Sequence, residues 1–219
     1  MRTTLYLAST EALKDAALFA RLLRTVPPSR QEKIGRLRVA RARRLSLGAG
    51  LLLNYALAAQ GLPVTEPAVS ENGKPYFPAL PDFHFNLSHS GELALCAVSP
   101  TPVGCDVETV SGIDLAVARR FFHPEERAWL FSLPEGEREA AFLRLWTCKE
   151  SFIKAVGLGL ALPLEDFSVS LGDAVTLRQG VDARPWRLRS LRDGGAFYAL
   201  CGLEGVEDAP FVRVSPEAL

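Results

Sequence analysis

The sequence predicts an α+β protein. Three observations carry this: several stretches space their apolar residues at a helical period, shorter ones have the length and alternation of strands, and Pro or Gly turns punctuate them. Thr4 to Leu7 reads as an opening strand, followed by a helix over Glu11 to Leu23, a basic helix from about Ser29 and an apolar helix from Leu45. Leu93 to Ser99 and Val103 to Glu108 read as strands joined by Pro100-Thr101-Pro102. Ser111 begins a helix running to Phe122, and His123-Pro124-Glu125-Glu126 starts another, with Pro at its first helical position and acids in its first turn. A long amphipathic helix runs from about Gly136 to Val156 and is closed by Gly157. Phe167 to Val169, Trp186 to Leu191, Phe197 to Gly202 and Phe211 to Val214 complete the chain as short strands, and no exact internal repeat is present.

At 219 residues the chain lies between one large domain and two small ones. Its net charge is zero, yet residues 1–103 carry 12 Lys/Arg against 7 Asp/Glu and residues 104–219 carry 13 against 18, an excess of +5 and then −5. A basic half facing an acidic half suits an anionic ligand held by cations on one side and by a carboxylate-bound metal on the other. Cys96, Cys105, Cys148 and Cys201 show no CxxC spacing and no secretory leader opens the chain, so reduced, cytoplasmic thiols are expected. Leu45 to Thr65 has no charged residue and follows Arg41-Ala42-Arg43-Arg44, as a membrane anchor would. Its glycines, Asn54, Gln60 and the Gly61-Leu62-Pro63 break leave too short an apolar run, and a buried core helix is expected instead.

The chemistry begins with acids in two segments. In Gly104-Cys105-Asp106-Val107-Glu108 a strand's period of two puts Asp106 and Glu108 on one face, and in Trp146-Thr147-Cys148-Lys149-Glu150-Ser151-Phe152-Ile153-Lys154 a helix puts Glu150 and Lys154 on one face. Three carboxylates without His or Cys suit Mg²⁺, which takes one or two carboxylates, keeps waters and completes its shell with substrate phosphates. Either motif alone is most often a solvated face or a weak surface pair. Two upstream segments change the balance: Gly73-Lys74-Pro75 and Phe85-Asn86-Leu87-Ser88-His89-Ser90-Gly91.

In that order, GKP, FNLSHSG, GCDVE and WTCKESFIK closely resemble the signature of the Sfp-type 4′-phosphopantetheinyl transferases, and the resemblance extends from near Arg30 through Phe121-Phe122-His123-Pro124-Glu125-Glu126 to Leu162–Val169. Cys105 and Val107 stand where the family usually has Ile, both on the face opposite the acids. The resemblance implies two similar α+β halves related by a pseudo-twofold, with the ligand in the cleft between them and a divide near Val103. It implies an enzyme of the holo-[acyl-carrier-protein] synthase type with coenzyme A as substrate and Mg²⁺, or Mn²⁺, as metal. Arg30, Lys33 and Arg44 match positions that gather cations around the 3′-phosphate, where a guanidinium grips with two parallel hydrogen bonds. Lys74 falls by the adenine and phosphates, and Ser88 and His89 on the phosphates, where their amides form an anion nest and a partly charged His89 helps.

The implied reaction has Asp106, Glu108 and Glu150 holding the metal on the diphosphate while a serine hydroxyl of an apo acyl, peptidyl or aryl carrier protein attacks the β-phosphate and adenosine 3′,5′-bisphosphate departs. Lys154 neutralises phosphate charge. Glu150, Glu126 or a metal-bound water takes the serine proton, and Glu126 has an equally good reading as a helix first-turn cap. Lys149 faces away from Glu150 and Trp146 reads as core. Adjacent Ser88 and His89 point to opposite strand faces without a GxSxG elbow, against nucleophilic hydrolysis. Apolar residues of the Ile113 to Phe131 region are candidates for carrier docking, and a monomer is expected. Two other classes remain: a Mg²⁺-dependent phosphohydrolase using the same acids, and, more distantly, a basic nucleic-acid-binding module, for which no motif or aromatic interleaving is present in Arg21–Arg44.

Overall fold

The computed structural model describes residues 1–109 and 114–215. Strand β1 (Thr4–Ser9) leads through a short 3-10 turn, Glu11–Lys14, into α1 (Ala16–Leu23). The single helix expected over Glu11 to Leu23 is therefore broken, because the Asp15 side chain accepts from the Leu18 amide at 2.7 Å and caps a new helix. Next come α2 (Pro28–Arg36), with Pro at its first position, and α3 (Ala40–Ala58). The apolar helix thus starts five residues before Leu45, and Arg41, Arg43 and Arg44 form its opening turns. A two-residue ribbon of β2 (Ala68–Val69) and β3 (Pro75–Tyr76) carries the Gly73 turn. Then follow β4 (His84–Ser90), β5 (Leu93–Ser99) and β6 (Val103–Thr109).

The second part holds α4 (Ala116–Phe121), α5 (Pro124–Ser132) and α6 (Glu135–Val156), then β7 (Phe167–Leu171), β8 (Val175–Gln179), β9 (Arg187–Asp193), β10 (Ala196–Gly202) and β11 (Phe211–Arg213). The start expected at Ser111 for the first of these helices lies outside the described residues, as does Ile113. Helix α6 ends at Gly157, whose φ of +82° is the left-handed cap the sequence predicts.

The same plan occurs twice. Helix α3 packs on the sheet β11-β1-β5-β4, and α6 packs on the sheet β6-β10-β9, a mixed helix-and-sheet α+β arrangement. Leu47, Leu51 and Leu52 of α3 are buried, and no described helix is long and apolar enough to cross a membrane. Strand β11 pairs in parallel with β1, so the chain's last described strand returns to the first sheet.

Where β4 meets β6, side chains replace a backbone ladder. Asn86, Ser88 and Ser90 share one face of β4, since side chains alternate along a strand. The Asn86 carboxamide oxygen accepts from the Cys105 amide at 2.8 Å, Ser88 Oγ donates to Asp106 at 2.6 Å and Ser90 Oγ donates to Glu108 at 2.6 Å. These three rungs hold the two sheets together and aim the acids of β6.

Candidate functional site

Asp106, Glu108, Glu150 and Lys154 line one cavity of about 310 Å³, together with Ser88, His89 and Trp146. It opens beside a larger, mostly apolar one of about 690 Å³, whose wall includes Glu150, Lys154, Trp146, Phe121, Val117 and Lys74. The strand and helix periods therefore converge as the sequence predicts: β6 brings two acids, and α6 brings the third with the lysine.

The electrostatics of this group are strained. Asp106 is buried, and its Oδ1 accepts from Lys154 Nζ at 2.6 Å as well as from Ser88. Burial would pull the Lys154 pKa down, but the adjoining Asp106 carboxylate outweighs it and holds the value above that of an ordinary lysine. Burial raises the pKa of Glu108, with Asp106 adding to the effect, while the Ser90 hydrogen bond works against it. Burial likewise raises Glu150; Lys154 opposes the shift, and the charges of Asp106 and Glu108 reinforce it. Both glutamates thus lie where the carboxylate form is disfavoured, in a group short of positive charge.

The donor set fits a hard divalent cation. The second oxygen of Asp106, Oδ2, is buried without a hydrogen-bond partner, an uncompensated acceptor of the kind a metal ion satisfies. Among the described residues no three acidic, His or Cys side chains converge closely enough to form a metal shell by themselves. The shell of three carboxylates expected from the sequence is therefore not assembled by side chains alone; Mg²⁺ usually takes one or two carboxylates and completes its shell with water and phosphate oxygens.

The cations expected around a phosphate are distributed over α2, α3 and β4. His89 lies on the exposed side of β4, and its pKa is lowered first by desolvation of its ring and then by the charges of Lys154, Lys33 and Arg30. This shift works against the partly charged imidazole expected from the sequence, and the neighbouring Lys154, Lys33 and Arg30 carry positive charge around it. Arg30 passes over α3 where Gly50 leaves room, since a Cβ there would stand 3.3 Å from the arginine stem. Arg44 is less free: its guanidinium donates to Glu92 at 3.0 Å, and Glu92 also accepts from Thr10 at 3.0 Å. No anion nest forms at Ser88 and His89, because both sit in extended β4 rather than in a turn.

Of the two readings of Glu126 the structure shows the helix cap, and the expectation for Lys74 changes. Glu126 is 3% exposed; its Oε1 accepts from Lys149 Nζ and the Val169 amide, both at 2.7 Å, and its Oε2 from the His123 amide at 3.0 Å. With both oxygens committed to a buried ion pair and a helix cap, it is structural and no base for an incoming serine. Lys149, expected to face away from Glu150, is the wholly buried partner of Glu126 and also donates to the Phe167 carbonyl at 2.8 Å. Lys74, expected on phosphates, instead gives its ammonium to the carbonyls of Val103, Lys154 and Ala155. Burial moves its pKa down to about 8. Trp146 stacks on Phe142 with ring centroids 5.8 Å apart, and it also borders both cavities, so it is core on one side and site wall on the other.

Sequence reasoning missed Asn86, Ser90 and Glu92. Polar residues at every second position of Asn86-Leu87-Ser88-His89-Ser90 were the available signal, since such a face must meet polar partners if it is buried.

Comparison with known proteins points to one family. Residues 102–201, which contain β6 and α6, match the family described as the 4′-phosphopantetheinyl transferase superfamily. A 4′-phosphopantetheinyl transferase of Bacillus subtilis is 42% identical over 159 residues, covering 70% of this chain and 70% of the relative. The 4′-phosphopantetheinyl transferase Sfp of Bacillus subtilis strain 168 is 47% identical over 104 residues, 48% of this chain and 46% of that protein. Among solved structures, the holo-[acyl-carrier-protein] synthase of Thermotoga maritima aligns with a TM-score of 0.42 at 23% identity, over 48% of this chain and 63% of that one. With a relative this similar over more than two thirds of its length, and with the acids of β6 and the Glu150–Lys154 face of α6 inside the matched region, the chain is an enzyme of the 4′-phosphopantetheinyl transferase superfamily.

Proposed function

We propose that the protein moves the phosphopantetheine arm of coenzyme A onto a serine of an apo acyl, peptidyl or aryl carrier protein, at the cavity lined by Asp106, Glu108, Glu150 and Lys154. The observation that carries this reading is the partnerless buried oxygen of Asp106, a residue lining the same cavity as Glu108, Glu150 and Lys154. Mg²⁺, or Mn²⁺ in its place, would be held by carboxylates of the set Asp106, Glu108 and Glu150, with water and phosphate oxygens completing its shell, and would neutralise charge on the diphosphate. Lys154 places a second positive charge beside it, held in register by Asp106. Arg30, Lys33 and Arg44 form the basic wall for the 3′-phosphate, with Ser88 and His89 between wall and acids.

In the reaction a carrier serine oxygen forms a bond to the β-phosphorus and the bond from that phosphorus to the departing adenosine 3′,5′-bisphosphate breaks. The serine proton passes to Glu150, which lines the same cavity as Asp106, Glu108 and Lys154. The apolar cavity beside the acids, with Phe121 at its exposed rim, offers a surface for the carrier. Two sides of the site come from one chain, which supports action as a monomer, and four free buried thiols suit the cytoplasm.

The test follows both products. With coenzyme A, Mg²⁺ and an apo carrier domain, adenosine 3′,5′-bisphosphate should appear in step with modified carrier. Release of nucleotide without any carrier would instead mean hydrolysis and would overturn the transferase reading.

A further inference from the structure

We propose that Lys74 is a positioning residue that fixes the gap between the acid strand β6 and the Glu150–Lys154 face of α6; the role presupposes the transferase site described above. Its Nζ donates to the carbonyls of Val103 at 3.1 Å, Lys154 at 2.6 Å and Ala155 at 2.8 Å. A lysine ammonium has three donors, and all three are used, which leaves none for a phosphate.

The three acceptors explain the choice of a cation. Lys154 and Ala155 stand in the last turn of α6, whose final carbonyls have no partner within the helix and carry the negative end of its dipole. Val103 is the first residue of β6, three before Asp106. One ammonium therefore ties the root of the acid strand to the end of the acid helix, and one of its acceptors is the backbone of the lysine that pairs with Asp106.

Two glycines show that the fit is built in. A Cβ at Gly104 would lie 2.1 Å from the Ser151 carbonyl oxygen and 2.4 Å from the Ala155 nitrogen, so β6 and α6 approach backbone to backbone. A Cβ at Gly157 would lie 3.1 Å from Lys74 Cδ, so the glycine that ends α6 also gives passage to the lysine stem. The lysine arrives from a turn fixed by Gly73 at φ +83° and by the Lys74 amide donating to Ser70 Oγ at 3.0 Å. A residue from the β2–β3 ribbon thus sets a distance within the catalytic group.

The test compares wild type, Lys74→Met, Lys74→Arg and Lys74→Cys, the last before and after alkylation with 2-bromoethylamine, which rebuilds a lysine-like ammonium. Coenzyme A binding is titrated without carrier, and kcat is measured with an apo carrier across Mg²⁺ concentrations. We expect both Lys74→Met and Lys74→Arg to lower kcat at least about tenfold and to raise the Mg²⁺ needed for half-maximal rate, with coenzyme A affinity within about threefold of wild type. A planar guanidinium keeps the charge but cannot serve three carbonyls around one nitrogen. Aminoethylation of the cysteine variant should restore most of the lost rate. Wild-type kcat in Lys74→Arg combined with weakened coenzyme A binding in Lys74→Met would overturn the proposal in favour of a phosphate contact, and unchanged kcat in both would overturn it outright. Absence of transfer by the wild type would refute the underlying transferase reading instead.

Discussion

Asp106 carries two roles on its two oxygens, one in an ion pair with Lys154 and one without any protein partner. Replacing it with Asn keeps the shape but removes the charge that both Lys154 and a cation require. Asp106→Asn is expected to lower kcat at least about 100-fold, measured by carrier modification, the scale on which single electrostatic contacts act in transition states. Glu150 gives a prediction of the opposite kind for stability. Burial holds its folded pKa above the usual carboxyl value of 4.5, so folding favours the protonated form. The contribution is therefore favourable below about pH 4.5 and is lost as pH rises through the folded value. In metal-free protein Glu150→Gln should melt higher than wild type near neutral pH, with the difference vanishing in acid, while saturating Mg²⁺ reverses the order at neutral pH. Asp106, Glu108, Glu150 and Lys154 were legible in the sequence because two short periods fix their faces. Glu126 and Lys74 were not, since the same residue types serve equally as caps and clamps, and only three-dimensional partners decide.

At the level of elements, the site depends on two contacts that pull β6 and α6 together and on one that holds α5 in place. Gly104→Ala would drive a methyl group into α6 backbone, which cannot move as a side-chain end could. Overpacking of this kind costs about 1–3 kcal/mol, and because β6 carries the acids, thermal melting and kcat should fall together. Glu126→Ala leaves the Lys149 ammonium buried and unpaired between α6 and β7. Such a loss costs about 3–5 kcal/mol in denaturant unfolding, and the fraction that remains folded should keep its kcat. A large kcat loss in folded Glu126→Ala would return that residue to the catalytic group. Helix ends marked by Pro or Gly, such as Pro124 and Gly157, were readable because those residues constrain backbone directly. The ribbon β2–β3 and strand β8 were not, since two residues show no period and the Val175–Gln179 segment has the mixed polarity of an exposed strand. Asp15 split an expected helix because its side chain offered the backbone a cap in mid-run.

For the molecule as a whole, charge and topology act together. The rungs from β4 to β6 join the basic stretch 1–103 to the acidic stretch 104–219, and that difference in charge is visible in composition alone. The return of β11 to β1 did not, because three residues at the end of the chain say nothing about which edge they will join. With cations on one wall and carboxylates on the other, coenzyme A affinity should fall as salt rises, the more so at the exposed Lys33, and Lys33→Ala should flatten that dependence. The most direct measurement is the intact mass of apo carrier domains after incubation with coenzyme A, Mg²⁺ and either wild-type protein or Asp106→Ala. A phosphopantetheine increment is expected on at least one carrier with the wild type and none with the variant, whereas equal increments from both, or none from the wild type on acyl, peptidyl and aryl carriers alike, would rule out transfer that depends on Asp106.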